Sequence, residues 1–268
     1  MAKTPDKKLP PPQISVLECI REGYEFISQN FMILLKAGGI AIVFNVIFSG
    51  LVFGLTDTDD SALTGRSFFG DFLITLPATV VFAWYAFVQA RLQIFGENFQ
   101  KLPHDRDYRR QRTRALNISI PCFVLFQMGV TVFYTYITAG TASVDGAAGL
   151  RPGQMFVALS GLFILFWGLK FSVLHLVAAA EGDLKDYLSR VRGLWFSFFL
   201  IGLGFISILP VMLIFMFIFV LLNPVSENGI TPLTIIVLGS VLSWFMAVVL
   251  NAVGVAALKY LYKGQRKA

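Results

Sequence analysis

The sequence is poor in the residues from which catalytic and metal sites are built. Among its 268 residues are two cysteines, Cys19 and Cys122, and two histidines, His104 and His175. Two cysteines in segments of different character provide neither a disulfide framework nor the ligand spacing of a metal site. The chain also lacks the HExxH, GxSxG, Walker and CxxC motifs. We therefore expect no catalytic residue, no metal, no cofactor and no enzymatic activity.

Charge is scarce as well. Only 14% of the residues are charged, whereas 56% are hydrophobic and 27 are phenylalanines. In soluble domains about a quarter of the residues are charged, so this composition cannot supply an ordinary water-facing surface. A soluble lipid-binding bundle is disfavoured because its helices would still need polar outer faces. The composition, with a mean hydropathy of +0.70, predicts a protein that crosses a membrane several times.

Six apolar stretches are long enough for such crossings. Each exceeds the ~20 residues that a helix needs to span the hydrocarbon core, and a helix satisfies the backbone groups that lipid cannot. The stretches cover 32–55, 72–95, 117–140, 155–180, 196–222 and 233–258. We expect an all-α polytopic membrane helix bundle, in which a single six-span domain over 14–262 lies between a disordered tail at 1–13 and a short tail at 263–268.

The basic residues are divided unevenly between the two sides of this bundle. The connecting segments 56–71, 141–154 and 223–232 contain two basic residues, Arg66 and Arg151. The segments on the other side, both termini included, contain seventeen. Because basic segments are retained in the cytoplasm, we expect both termini to be cytoplasmic.

Two segments have the pattern of amphipathic helices at the cytoplasmic interface. One has a stripe of apolar residues at helical spacing after Asp183, which fits an N-cap: Leu184, Tyr187, Leu188, Val191, Leu194 and Trp195. The other, over 16–31, opens with the capping-box sequence Ser15-Val16-Leu17-Glu18. The basic segment 96–116 fits a short helix held more by charge than by an apolar face. The expected interfacial anchors are Trp195, Arg190, Arg192, Arg109 and Arg110.

The expected partners are membrane lipids, in particular anionic headgroups at the cytoplasmic face. The run RDYRRQRTR at 106–114 could contact nucleic acid. Between two membrane spans, however, orientation and lipid contact explain it better, and we expect no nucleic acid. Protein partners and a homo-oligomer both stay open.

The alternation of surface segment, span, outer loop and span occurs three times, which fits a threefold hairpin repeat. Trp84, Trp167 and Trp244 fall in the second span of each unit, and Tyr24, Tyr108 and Tyr187 precede each first span. Chance matches in a chain this rich in aromatic residues are the other interpretation.

Three basic residues lie inside the predicted spans. Lys36 and Arg91 are close enough to the cytoplasmic ends of their helices for the side chains to reach the headgroups, so we expect both to be headgroup anchors. Lys170 is deeper, because it lies eleven residues before Glu181, which is ~16 Å along a helix. A lysine near the middle of the membrane costs ~2.5–3.5 kcal/mol.

Two interpretations of Lys170 follow from that cost. A functional polar cavity surrounds it, with His175 and Asn251 as further members, or its ammonium snorkels or is paired structurally. His175 and Asn251 also fit a simpler role in packing and interhelical hydrogen bonds.

Two segments resemble those of a known group of membrane proteins. AAAEGDLKDYLSRVRGLWFSFFLIG (178–202) and IREGYEFISQNFMILLK (20–36) are similar to segments of bacterial six-span inner-membrane proteins. That group includes the membrane domain of some glycerophosphodiester phosphodiesterases. The resemblance implies a multi-pass bundle in a bacterial inner membrane. The 268 residues contain no counterpart of the phosphodiesterase domain, so no catalytic residue carries over.

The leading functional hypothesis is a non-enzymatic integral membrane protein that organises the membrane or binds lipid or a partner. The alternative is a facilitator or lipid-handling transporter with a polar cavity around Lys170. Absence of Asp and Glu from the span interiors disfavours an ion-coupled transporter. Lys170→Leu separates the two: loss of transport with intact folding favours the transporter, and a silent substitution favours the non-transporting protein.

Overall fold

The structure is a computed structural model that describes residues 15–56, 68–141, 152–191, 193–222 and 232–263. All regular secondary structure in these ranges is helical. The helices are α1 (Val16–Thr56), α2 (Phe68–Phe95), α3 (Arg106–Thr141), α4 (Pro152–Gly168), α5 (Leu174–Ala179), α6 (Leu184–Arg190), α7 (Trp195–Leu222) and α8 (Pro232–Lys263), with a 3₁₀ segment at Leu169–Val173. The described chain has six helical stretches long and apolar enough to cross a membrane, which confirms the predicted fold class. The predicted tail at 1–13, and the other beyond Lys263, lie outside the described residues.

The first and third spans are longer than their apolar stretches. The N-terminal amphipathic segment continues without a turn into the first span, so that α1 has 41 residues. Its start carries the predicted cap, because Ser15 Oγ accepts a hydrogen bond from the backbone N–H of Glu18 at 3.4 Å. The basic segment 96–116 forms no separate helix either: 96–105 is non-helical, and the part from Arg106 forms the first turns of α3.

The centre of the bundle depends on close approaches between α1, α2 and α8. A Cβ atom added at Gly38 would lie 1.9 Å from Nε1 of the buried Trp244, so the indole occupies the space that the glycine leaves. Gln89 and Gln93, one turn apart on α2, donate hydrogen bonds to backbone carbonyls of Val248 and Ala252, one turn apart on α8, at 2.7 and 2.9 Å. These bonds fix the register between the two helices.

The fourth span is interrupted at Lys170. The 3₁₀ segment Leu169–Val173 separates α4 from α5 and contains Lys170. The chain then reverses at 180–183, and Asp183 caps α6 as predicted by accepting a hydrogen bond from the backbone N–H of Lys185 at 2.9 Å. α6 folds back beside α5, since the hydroxyl of Tyr187 donates to the carbonyl oxygen of Lys170 at 2.8 Å.

This reversal corrects one expectation. Tyr187 and Val191 were expected on the lipid-facing stripe of a surface helix, but both are buried against protein. The reversal also brings α6 within one tyrosine side chain of Lys170. The depth of ~16 Å expected for Lys170 from its separation from Glu181 stays a prediction.

The three tryptophans of the proposed repeat have different surroundings. Trp244 is buried, Trp84 packs edge-on against Phe99 at 6.4 Å, and Trp167 is 46% exposed. The threefold repeat stays a prediction.

Candidate functional site

Arg91 is the centre of a buried ion cluster at the end of the bundle where α2 ends and α3 begins. Its side chain is only 2% exposed. Nε donates to Oε2 of Glu97, and Nη1 donates to Oε1 of Glu181 at 2.7 Å and to the carbonyl oxygen of Ala179 at 3.3 Å. The expectation that Arg91 is a headgroup anchor is therefore wrong. Two carboxylates from other parts of the chain hold its guanidinium inside the protein.

Glu97 also accepts hydrogen bonds from the other two members of the cluster. Arg112 donates from Nε to Oε1 of Glu97 at 2.5 Å, and the hydroxyl of Tyr108 donates to Oε2 at 2.5 Å. We use the name ion cluster for Arg91, Glu97, Tyr108, Arg112 and Glu181. Its two arginines and two glutamates balance in charge, which is what a buried set of ions requires.

Aromatic rings complete the surroundings of the guanidinium groups. The Arg91 guanidinium carbon lies 4.5 Å from the ring centroid of Phe95, and that of Arg112 lies 5.4 Å from Phe87. Such contacts stabilise a cation where water is excluded.

Two opposing effects in the cluster set the pKa of Glu97. Burial by itself raises the pKa of this carboxyl, but the hydrogen bonds from Tyr108, Arg112 and Arg91, with the charge of Arg91, outweigh burial. The net effect is a pKa below the ordinary value for glutamate. Glu97 is therefore ionised at neutral pH.

Glu181 has a backbone conformation that L-residues rarely adopt. It follows α5 with a φ of 59°, in the left-handed position of a Schellman motif. The N–H of Gly182 donates to the carbonyl of Val177 at 2.9 Å, and the N–H of Glu181 donates to that of Ala178 at 3.0 Å. Glycine is the usual residue there, because a side chain costs about 1–2 kcal/mol. The ion pair with Arg91 offsets that cost.

Two clefts follow one another along a single face of α3. The cleft at the arginine-rich end has a volume of about 550 Å³ and lies between α3 and the turn at 178–184. The deeper cleft has a volume of about 440 Å³ and lies between α3 and 164–174. On α3 their lining residues, single or in adjacent pairs, recur every three or four positions, as one helix face does: Gln111, Arg114 and Ala115, Ile118, Cys122, Leu125 and Phe126, Gly129 and Val130, and Phe133. We call this surface the α3 groove.

Polarity changes along the α3 groove. Its first part contains Gln111 and Arg114, and it adjoins the open surface that Arg109 and Arg110 line. Its second part, from Cys122 inward, is almost entirely apolar. The groove is thus amphipathic along its length.

The residues predicted to form a polar cavity are not all brought together. His175 Nε2 lies 3.2 Å from Asn251 Oδ1, within hydrogen-bond distance, so α5 and α8 are joined there. Lys170 is directed elsewhere: its Nζ lies 4.3 Å from the ring centroid of Trp167 and 5.7 Å from that of Phe171. Trp167 and Phe171 line the α3 groove, and Lys170 lies behind them. The polar cavity itself stays a prediction.

The predicted interfacial anchors have different environments. Trp195 is 82% exposed, and Arg109 and Arg110 are exposed on the first turns of α3. Arg190 is held by Asp186 at 2.9 Å and packs on the ring of Tyr262 at 5.1 Å. Arg192 lies outside the described residues.

Comparisons with family models, curated proteins and solved structures gave no match for this chain. The geometry therefore carries the functional argument. The sequence contained one signal for the ion cluster: Glu97 directly follows the second span and Glu181 the fourth, on the side where Arg91 lies. An acid at each of two span ends is a candidate partner for an arginine inside the span.

Proposed function

We propose that this multi-pass membrane protein binds a phospholipid in the α3 groove and has no enzymatic role. The observation that carries the proposal is the change of polarity along one helix face, from arginine-lined to apolar. The polarity of a phospholipid changes in the same order along its length, from a charged phosphate to hydrocarbon.

The length of the groove supports this occupant. From Cys122 to Phe133 the helix rises ~16 Å, which is close to half of the ~30 Å hydrocarbon core. The apolar part therefore has the length of acyl chains in one leaflet. Its polar part lies where the headgroup of such a lipid would be.

The charges at the polar part favour an anionic lipid. Arg114 lines this part, and Arg109 and Arg110 lie beside it. The acids on the opposite wall are already engaged, Glu181 by Arg91 and Asp183 by the N–H of Lys185. Arg109 donates from Nε to the carbonyl oxygen of Pro103 at 3.4 Å, and Arg110 and Arg114 have no hydrogen-bond partner among the described residues. Arginine donors are suited to phosphate.

We also propose that the arginine-rich end faces the cytoplasm of a bacterium, as the distribution of basic residues and the resemblance to six-span inner-membrane proteins indicate. A reporter active only in the cytoplasm should work when fused at Arg110 and fail when fused at Asp59. The reverse pattern would refute this orientation.

Blocking the groove tests lipid binding. A Cβ at Gly129, which lines the apolar part, would meet no atom within 4 Å, so Gly129→Phe places a ring in the groove without disturbing the core. We expect native mass spectrometry to find one phosphatidylglycerol retained by the wild type and none by Gly129→Phe.

Gly239→Phe is the matched control. Gly239 also lies on a span, exposed, with no atom within 4 Å of an added Cβ, but α8 does not border the groove. We expect this variant to retain the lipid. Equal retention by Gly129→Phe and Gly239→Phe would exclude the α3 groove as the binding site.

A further inference from the structure

A second cavity lies at the arginine-rich end, on the other side of Gly182 from the α3 groove. It has a volume of about 500 Å³ and is bounded by α1, α2, α5 and α8, which is within the usual range for ligand pockets. Its floor is apolar, with Phe95 and Leu258 among the contributors, and Glu22, Lys259 and Tyr262 supply polar groups.

Two polar atoms at this cavity are buried and have no hydrogen-bond partner among the described residues. These atoms are Oε2 of Glu22 and the hydroxyl oxygen of Tyr262. A carboxylate oxygen can only accept hydrogen bonds, whereas a phenol can accept or donate. Leaving such atoms buried and unsatisfied costs about 1–3 kcal/mol each. A donor that reaches both oxygens would remove that cost.

An ammonium group meets this requirement, because it has three donors and a positive charge for Glu22. Lys259 lines the same cavity and has no ion pair with any described residue. A ligand with only a positive charge would be repelled by it. A ligand that carries an acidic group beside its ammonium would satisfy Glu22 and Lys259 together.

We propose that this cavity binds a zwitterion, an ammonium beside an acidic group, attached to an apolar body. The ammonium donates to Glu22 and Tyr262, the acidic group faces Lys259, and the body lies on the apolar floor. Two sources share this chemistry: a free amino acid with an apolar side chain, and the headgroup of an aminophospholipid. The site is separate from the α3 groove, so it does not depend on the lipid proposed there.

Calorimetry on the full chain in detergent tests the proposal with two pairs of probes. L-phenylalanine and lysophosphatidylethanolamine have the ammonium. N-acetyl-L-phenylalanine and lysophosphatidylglycerol lack it. We expect at least one ammonium probe to bind, and to bind at least about tenfold more tightly than its partner, as loss of a charge-assisted hydrogen bond implies. Phenylalanine alone would identify a free amino acid as the source, and the lysolipid alone a membrane lipid.

Variants assign the binding to this cavity. Glu22→Gln should weaken the binding of the ammonium probe by about tenfold or more. Glu25→Gln, three residues away on the exposed side of α1, should leave binding unchanged, and so should Gly129→Phe in the α3 groove. Tyr262→Phe, which removes only the hydroxyl, gives a second reading if Glu22→Gln does not fold. Failure of both ammonium probes to bind, or unchanged binding in Glu22→Gln and Tyr262→Phe, would overturn the proposal.

Discussion

At the scale of single residues, Glu181 combines a rarely adopted backbone conformation with a distant partner. Its φ of 59° belongs to a helix-ending motif in which glycine is the usual residue, and glycine occupies the next position, 182. The carboxylate reaches Arg91, ninety residues away in the chain. Sequence reasoning assigned Arg91 to the headgroups because it weighed only the span that contains it.

The depressed pKa of Glu97 leads to a prediction about pH. Because the folded-state pKa lies below the unfolded value of about 4.3, the stability that ionised Glu97 contributes is present above that value. It is lost as the pH falls through the folded-state pKa. We expect Glu97→Gln to lower the free energy of unfolding by about 3 kcal/mol at pH 7, since it leaves the buried Arg91 and the partly buried Arg112 without this partner. The difference from wild type should shrink as the pH falls below about 4.3.

Denaturation in mixed micelles at several pH values measures this difference. Glu25→Gln is the control, because Glu25 is exposed and pairs with Arg21 only at 3.8 Å, so it should change stability little at any pH. A gap between Glu97→Gln and wild type that stays constant from pH 7 to pH 2 would contradict the role assigned to the carboxylate.

At the scale of helices, the packing of α1 on α8 depends on one missing side chain. We expect Gly38→Ala to lower the free energy of unfolding by about 1–3 kcal/mol or more, because its Cβ would overlap the indole of Trp244. Gly39→Ala, one position along α1 and open to space, should be neutral or stabilising by up to about 1 kcal/mol, as alanine is the better helix former. Equal stability of the two variants would show that the indole is not fixed at Gly38.

The helices differ in how far the sequence predicted them. The six spans could be predicted because the hydropathy of a segment and its length decide whether it can cross a membrane. The cap at Asp183 could be predicted because a cap is a local interaction. The reversal that docks Tyr187 on Lys170 could not, since the apolar stripe of α6 is equally suited to lipid and to protein.

The candidate sites were predictable to different degrees. The regular spacing of Gln111, Ile118, Cys122 and Gly129 on α3 was available in the sequence, but nothing in it shows that 164–174 forms the opposite wall. The prediction joined Lys170, His175 and Asn251 because all three are polar residues inside spans. The structure pairs His175 with Asn251 and stacks Lys170 on Trp167. The sequence alone does not distinguish these two pairings from a shared cavity, because they depend on how the helices pack in three dimensions.

At the scale of the whole molecule, two apolar surfaces of the bundle differ in shape. α7 presents large apolar residues to its surroundings, with Phe205 and Phe217 about two-thirds exposed, as a general lipid-facing surface does. The α3 groove is concave and ends in arginines. Bulk lipid can cover α7 without any fixed position, whereas the groove would hold one molecule in a defined orientation.

Photo-cross-linking in membranes can show whether the α3 groove holds a phospholipid. A phosphatidylglycerol with a diazirine in its acyl chain would be incorporated into vesicles with the wild-type protein, and the modified peptides mapped by mass spectrometry. If the groove holds the lipid, cross-links will concentrate in 122–133 and 164–174, the two walls of the apolar cleft, well above those on α7. Cross-links spread over α7 as densely as over the groove would contradict lipid binding there.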